Sequence, residues 1–306
     1  MSKPRILVLA DPKPQDMADR LAADYRITRD IADAGDVQIV VTTGGLGLSS
    51  AQMAALPALR LIAVNGVGVD AVDLDQAGAR GIQVTTTPDV LSDAVAELAL
   101  ALALATGRRI VEGDRFTRAG HWAAGGNLAM GMPVLGRRAG ILGYGRIGRR
   151  LAAMLRALGS EVLYTSRSEK PDSPDGFRPD AASLARDCEL LFVTAAGGEG
   201  TRGLIGAAEL AALGPSGLIV NVARGPVVDS AALIAALQDG IIAGAGLDVV
   251  DGEPDVPQGL LDAPNCVLTP HIGSATDAAR RAMAQLVLDN IAAFVAGRPL
   301  PTPYQP

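Results

Sequence analysis

Three short segments in the second half of the chain carry the side chains best suited to chemistry. "NVARGPVVD" (221–229) brings Arg224, "LDVVDGEPDVP" (247–257) brings Asp248 and Glu253, and "LTPHIGSAT" (268–276) brings His271. Histidine is the side chain that most readily gives or takes a proton near neutral pH, and only two are present, His121 and His271. Each residue also has a plain structural role. A histidine after a strand packs or sits at the surface, an arginine before Gly-Pro satisfies carbonyls in a turn, and a glutamate before proline is solvated. Their common placement is the stronger observation. Each segment follows a β-type run, so all three end at the C-terminal edge of one sheet, where ligands of α/β sheets bind.

A fourth segment predicts what binds there. "GILGYGRIGRRLAAML" (140–155) places Gly143, Gly145 and Gly148 in the spacing G-x-G-x-x-G, with a strand before and a helix after. The turn needs the first glycine, close approach of a pyrophosphate needs the second, and helix–strand packing needs the third. A pyrophosphate there meets a helix N-terminus, whose free N–H groups and dipole favour an anion. The spacing therefore predicts a dinucleotide site.

The next strand ends near Ser166, close to the ~20-residue offset at which an acid reads the ribose hydroxyls of NAD. "LYTSRSEK" (163–170) offers Ser166, Arg167 and Ser168 instead, and its first acid, Glu169, comes late. A carboxylate would repel a 2′-phosphate by about 4 kcal/mol per charge pair at ~4 Å and an effective dielectric near 20. Arg167 reverses that sign, and the two serines can donate to the same phosphate. The turn predicts NADPH, with NADH as the weaker alternative.

The elements that must position these residues alternate along the chain. Strand patterns at 5–10, 37–43, 59–65 and 81–87 are separated by helical stretches near 14–23, 49–56 and 73–80. A long helix is expected from about Leu91 toward Ala119. A second series has strands at 138–143, 161–166, 189–194, 216–222, 243–250 and 266–270, with helices at about 146–158, 207–213 and 229–239. The last helical pattern, 276–295, is long enough to return to the first lobe, and "PDSPDGFRP" (171–179) reads as a polar loop. This βαβ rhythm predicts an α/β protein of two Rossmann-like or flavodoxin-like lobes with parallel sheets. The expected division is residues 1–97 with 283–306, and 98–282.

Composition agrees. The 306 residues are 49% hydrophobic and 20% charged, and at 3% aromatic the core must be aliphatic. A net charge of −6 argues against a general nucleic-acid or acidic-membrane binder. Cys188 and Cys266 are too few for a disulfide framework and match no metal motif, which suits a reducing cytoplasm. The N-terminal run "RILVLA" reads as a strand rather than a signal peptide. The most apolar helix, at 98–106, is too short to span a bilayer.

"VNGVGVD", "GILGYGRIG", "NVARGPVVD", "GAGLDVVDGEP" and "TPHIGSAT", in this order and spacing, resemble the D-isomer-specific 2-hydroxyacid dehydrogenases over essentially the whole chain. The nearest subgroup is the NADPH-dependent glyoxylate/hydroxypyruvate and hydroxyphenylpyruvate reductases. "YTSRSEKP" is similar to their NADPH-type turn and "RFTRAGHW" to their segment ahead of the nucleotide domain.

The resemblance implies an active site in the cleft between the lobes. It implies His271 as proton donor to a 2-oxo acid's carbonyl oxygen, with Glu253 on the far side of the imidazole favouring its protonated form. It implies Arg224 as a two-point grip on the substrate that lysine could not copy, and Asp248 as the group that orients the nicotinamide. Val67 and Gly68 would offer backbone N–H groups to the carboxylate. Leu46 and Trp122 would bear on pocket size, with Trp122 reaching toward the partner of a homodimer; His121 is taken as structural. Further cofactor contacts would come from Arg146, Ile147, Ala195, Ala196, Val222, Ala223 and Gly273. "AAGGEGTRGLIG" (195–206) departs from the family's Pro-Leu-Thr ahead of "TRGLI", with an extra glycine and no proline beside Ala195 and Ala196.

The expected reaction is reduction of small 2-oxo acids, glyoxylate and hydroxypyruvate, to D-2-hydroxy acids. Phenylpyruvate-type acids are the enzymatic rival. A dinucleotide-sensing binding protein of the same fold is the rival from another class, because fold does not fix function.

Overall fold

Continuous runs of Val, Ile and Leu form the strands, since strands covered on both faces need no polar alternation. The structure, a computed structural model, describes residues 3–305. The chain divides into two units, Met1–Leu91 with Ser274–Pro306, and Ser92–Gly273.

In the first unit the strands β1 (Arg5–Val8), β2 (Arg26–Thr28), β3 (Ile39–Thr42), β4 (Leu61–Val64) and β5 (Gln83–Thr85) form a parallel sheet in the order β2-β1-β3-β4-β5. This is the flavodoxin-like order. Helices α1 (Gln15–Asp24), α2 (Ser50–Ala54) and α3 (Leu74–Ala79) connect the strands, and the final helix of the chain, Asp277–Val295, packs on β4 and α1. Ile6, Val8, Val41 and Ala63 on one face of the sheet share a core with Val287 and Ile291 of that helix.

The second unit opens with α4 (Ser92–Gly107) and α5 (Ile110–Arg118). Its strands are β6 (Ala139–Leu142), β7 (Val162–Thr165), β8 (Gly176–Phe177), β9 (Leu190–Val193), β10 (Leu218–Asn221), β11 (Gly244–Leu247) and β12 (Cys266–Leu268). All pair in parallel, in the order β12-β11-β10-β9-β6-β7-β8. The direction of strand order reverses at β6, between β7 and β9, which is the Rossmann switch point where dinucleotides bind. Helices α6 (Arg146–Ala157), α7 (Ala181–Asp187), α8 (Ala207–Leu213), α9 (Ser230–Gln238) and α10 (Gln258–Asp262) cover it. β11 is glycine-rich so that α4 can lie close: a Cβ on Gly246 would stand 2.9 Å from the Leu102 Cβ.

The structure corrects several expectations. The helix expected from Leu91 to Ala119 is two helices, parted at Arg108–Arg109. The Gly107 carbonyl is taken by the Met132 N–H at 2.8 Å, and Arg109 turns left-handed at φ +54°. The units part at 91/92 and 273/274 rather than at 97/98 and 282/283, because all of α4 packs on the second unit's β10, β11 and α6. The short edge strand β2, the helix α7 and the two-residue β8 inside the polar loop are elements without a counterpart in the sequence reading. Among the described residues, no helix is long and apolar enough to cross a membrane.

Candidate active site

The three glycines at the end of β6 do three different steric jobs. Gly143 sits at φ +100°, and a Cβ there would lie 2.4 Å from the Ala195 backbone. Its N–H donates to the Thr165 carbonyl at 2.9 Å, and its own carbonyl accepts from the Thr194 hydroxyl at 2.7 Å. A Cβ on Gly148 would strike the Gly143 carbonyl oxygen at 2.3 Å. Gly145, the N-cap of α6, has nothing within 4 Å of where a Cβ would be. The open space at Gly145 is room for a phosphate. The first-turn N–H groups of α6, those of Arg146, Ile147 and Gly148, have no acceptor within the helix and point at that space. The turn therefore fits a dinucleotide pyrophosphate. Ala195 packs against it and Ala196 is exposed, its carbonyl held by Thr201 at 2.9 Å.

At the end of β7, Thr165 is buried, with its hydroxyl donating to the carbonyls of Arg178 (3.0 Å) and Asp180 (3.2 Å). Beyond it the chain turns outward. The Ser166 hydroxyl donates to the Ser168 carbonyl at 2.6 Å, and the Lys170 ammonium donates to the Ser168 hydroxyl at 3.1 Å. Arg167 and Ser168 are exposed. Among the described residues the Arg167 guanidinium has no carboxylate within salt-bridge distance. Lys170, a cation the sequence reading passed over, joins the turn by its Nζ.

At the C-terminal edge of the same sheet, His271 and Glu253 form a dyad: His271 Nδ1 lies 2.6 Å from Glu253 Oε1. A carboxylate only accepts, so Nδ1 carries a proton and Nε2 is the nitrogen left to exchange one with a ligand. The side chains are 52% and 39% exposed. An ion pair that open contributes only ~0–1 kcal/mol to stability, so stability is not the reason for it.

Each member is carried by a shaped loop. Asn221, buried at the end of β10, accepts the Ala223 N–H and donates to the Arg224 carbonyl, both at 3.0 Å, which bends the chain outward at Arg224. A Cβ on Gly225 would stand 2.0 Å from the Val250 carbonyl carbon, so the Arg224 loop lies directly against the segment that leads to Glu253. Val222 and Ala223 are buried beneath it. The Arg224 guanidinium donates to the Ala223 carbonyl at 2.6 Å.

Asp248 is 2% exposed, and its carboxylate accepts from three donors on the histidine loop. These are the Thr269 hydroxyl at 2.6 Å and the N–H groups of Ile272 and Gly273, each at 2.8 Å. Its carbonyl accepts the His271 N–H at 2.9 Å, and His271 itself is left-handed at φ +52°. In this structure Asp248 braces the loop that carries His271. Asparagine at 248 would turn an NH2 group toward one of those donors. Asp248→Asn is therefore expected to lower kcat roughly 10- to 150-fold, the scale of a lost charge-assisted hydrogen bond. Steady-state kinetics on a variant with unchanged circular dichroism checks this.

In the first unit, Val67 and Gly68 lie on the loop after β4, which packs against the loop at Gly44: a Cβ on Gly44 would stand 2.3 Å from the Gly68 carbonyl oxygen. Neither the Val67 nor the Gly68 N–H finds an acceptor among the described residues, so both are available to an anion. Leu46 is 52% exposed. Trp122 stands on the turn after α5, 71% exposed, while the neighbouring His121 packs its ring 5.4 Å from Phe116.

Other features of the second unit are chemically quiet. Burial pushes the Cys188 and Cys266 thiols up to about 12, which keeps them protonated and poor nucleophiles. A cavity of about 340 Å³ is lined by Thr106, Arg109, Met130, Leu218 and Cys266. Leu218 and Cys266 begin β10 and β12, so it opens at the opposite sheet edge from His271. No cluster of metal-ligating residues occurs among the described residues. Thr194, Asn221 and Thr269 support the site through side-chain hydrogen bonds; nothing in their local sequence marks them out.

Comparison with known proteins gives the class. Residues 100–273 match the family model of the D-isomer specific 2-hydroxyacid dehydrogenase NAD binding domain. The chain is similar to a 2-ketogluconate reductase of Gluconobacter oxydans (strain 621H), at 41% identity over 310 residues and 99% of each chain. It is also similar to a glyoxylate reductase of Thermococcus kodakarensis, at 42% identity over 275 residues, 87% of this chain and 83% of the relative. Among solved structures, an NADPH-dependent glyoxylate/hydroxypyruvate reductase from Sinorhizobium meliloti, in complex with NADP and malonate, superposes with a TM-score of 0.93 at 38% identity, covering 99% of this chain and 97% of that one. The chain belongs to the D-isomer-specific 2-hydroxyacid dehydrogenase family. It is an oxidoreductase built to use a nicotinamide dinucleotide.

Proposed function

We propose that the protein is an NADPH-preferring reductase that converts small 2-oxo acids, glyoxylate and hydroxypyruvate, to D-2-hydroxy acids. The observation that carries the chemistry is the half-exposed His271–Glu253 dyad at the sheet edge that also holds the glycine turn. A bound nicotinamide dinucleotide supplies hydride to the substrate's carbonyl carbon. His271 Nε2 gives a proton to the carbonyl oxygen, while Glu253 keeps the Nδ1 proton in place and stabilises the imidazolium that is consumed. Arg224 draws the carboxylate and carbonyl into one plane.

NADPH preference is supported by the Ser166–Lys170 turn, which presents Arg167 ahead of its first acid, Glu169, with Lys170 directly after it. Arg167→Ala is expected to weaken NADPH about tenfold or more and to leave NADH nearly unchanged, since ~1.4 kcal/mol is tenfold. Titration of both cofactors checks this; equal losses would remove Arg167 from phosphate recognition.

A second substrate class, a sugar-derived 2-oxo acid, is favoured by the likeness to a 2-ketogluconate reductase along almost the whole chain. The ratio of kcat/KM for glyoxylate, hydroxypyruvate, 2-ketogluconate and phenylpyruvate separates these readings. The proposed working state is a homodimer in the cytoplasm; the exposed segment that carries Trp122 and Met130, 71% and 96% exposed, supports the dimer.

A further inference from the structure

The polar loop between β7 and β8 ends in an ion pair whose carboxylate is buried and whose guanidinium is 37% exposed. The Asp175 side chain is 1% exposed. Its two oxygens accept from Arg156 Nη1 at 2.7 and 2.6 Å, and the Tyr144 hydroxyl donates to the same carboxylate. The Ser173 hydroxyl donates to the Tyr144 oxygen and accepts the Asp175 N–H, both at 3.1 Å. Burial and then the Asp175 bond push the Tyr144 phenol up, so it remains a donor.

The position of these partners is what gives the cluster meaning. Tyr144 lies between Gly143 and Gly145 of the phosphate turn, and Arg156 lies on the last turn of α6. The Tyr144 ring stacks on Tyr164 of β7, with centroids 4.1 Å apart, and the Arg149 guanidinium lies 5.1 Å from the Tyr144 centroid. The Tyr164 hydroxyl in turn accepts the Lys170 N–H at 2.7 Å. The excursion from Ser166 to Asp175 is thus fixed at its start by Thr165, at Lys170 by Tyr164, and at its end by Tyr144 and Arg156. Only Arg167, Ser168 and Glu169 are exposed within its first five residues, and Ser166 and Lys170 are half-buried.

An ion pair of this kind is weak evidence for stability, because solvent screens the open guanidinium and desolvation of the buried carboxylate offsets much of the attraction; registry is the better-attested use. We propose that Tyr144, Asp175 and Arg156 form a positioning clamp for cofactor discrimination. The clamp holds the Ser166–Lys170 turn at a set distance from the glycine turn. A dinucleotide whose pyrophosphate sits at α6 then presents its 2′-phosphate to Arg167 and to Lys170, which the Ser168 hydroxyl steadies. Without a 2′-phosphate the position of this turn matters little, so the clamp acts on NADPH and spares NADH. The inference rests on the proposed NADPH preference.

The test is calorimetric titration of NADPH and NADH into the intact protein and into Tyr144→Phe and Asp175→Asn, with the melting temperature of each. Wild type is expected to bind NADPH more tightly than NADH. Both variants should lose NADPH affinity roughly five- to tenfold, the net scale of one ordinary hydrogen bond, with NADH affinity held within about twofold. A lowered melting temperature with an unchanged NADPH-to-NADH ratio would show a purely structural brace and overturn the clamp. Wild type without NADPH preference would overturn the underlying cofactor reading, which is a separate result. Tyr144→Phe keeps the ring stack and buries no new charge, so it carries the test if Asp175→Asn fails to fold.

Discussion

Replacing His271 with alanine is expected to lower kcat by about 100- to 10,000-fold, the range a positioned general acid contributes. NADPH affinity should stay near the wild-type value, because the glycine turn and the Ser166–Lys170 turn are built from β6, α6 and β7 and not from the histidine loop. The left-handed backbone at His271 complicates a simple alanine comparison, since that conformation costs an ordinary residue roughly 1–2 kcal/mol. Asparagine tolerates it, so His271→Asn separates loss of the proton donor from backbone strain. If both variants retain wild-type turnover, His271 is not the acid.

The second large effect is expected at Arg224. Lysine keeps the charge but loses the planar fork, so Arg224→Lys should reduce kcat/KM by roughly 10- to 150-fold, the scale of a charged hydrogen bond. The loss should fall on the 2-oxo acid and leave dinucleotide affinity intact. The Asn221 bonds run to the main chain of this loop, so a lysine side chain leaves its bend unchanged. Steady-state kinetics with varied 2-oxo acid at saturating cofactor reads this directly. A lysine variant as efficient as wild type would mean that Arg224 grips no planar anion.

Much of the site was legible because its requirements are local. Gly143, Gly145 and Gly148 each answer a steric demand within a few residues, so spacing alone was enough. Arg224, Glu253 and His271 could be placed on one edge because each follows a strand, although the 2.6 Å pairing of His271 with Glu253 needed coordinates. The Asp248 brace was not legible: its partners lie more than twenty residues away, and an aspartate after a strand is equally suited to a ligand. Nor was the clamp, because Tyr144 and Asp175 are 31 positions apart and the intervening loop looks merely solvated.

The fold shows the same division. Buried parallel strands announce themselves as apolar runs, and the expected positions of β1, β3, β4 and β5 differ from the structure only at their ends. β2 is three residues at a sheet edge, with a first residue that is exposed, and offers no run to detect. The break at Arg109 has a tertiary cause, the capture of the Gly107 carbonyl by Met132. Helix propensity through Arg108 and Arg109 gives no warning of it.

The most direct test of the account is the product balance of a single reaction, hydroxypyruvate with NADPH. The account predicts that one NADPH is oxidised for each D-glycerate formed, with little L-glycerate, and that the rate with NADPH exceeds the rate with NADH. NADPH that binds but is not oxidised by hydroxypyruvate, glyoxylate, 2-ketogluconate or phenylpyruvate would contradict it and leave a dinucleotide-sensing protein as the better description.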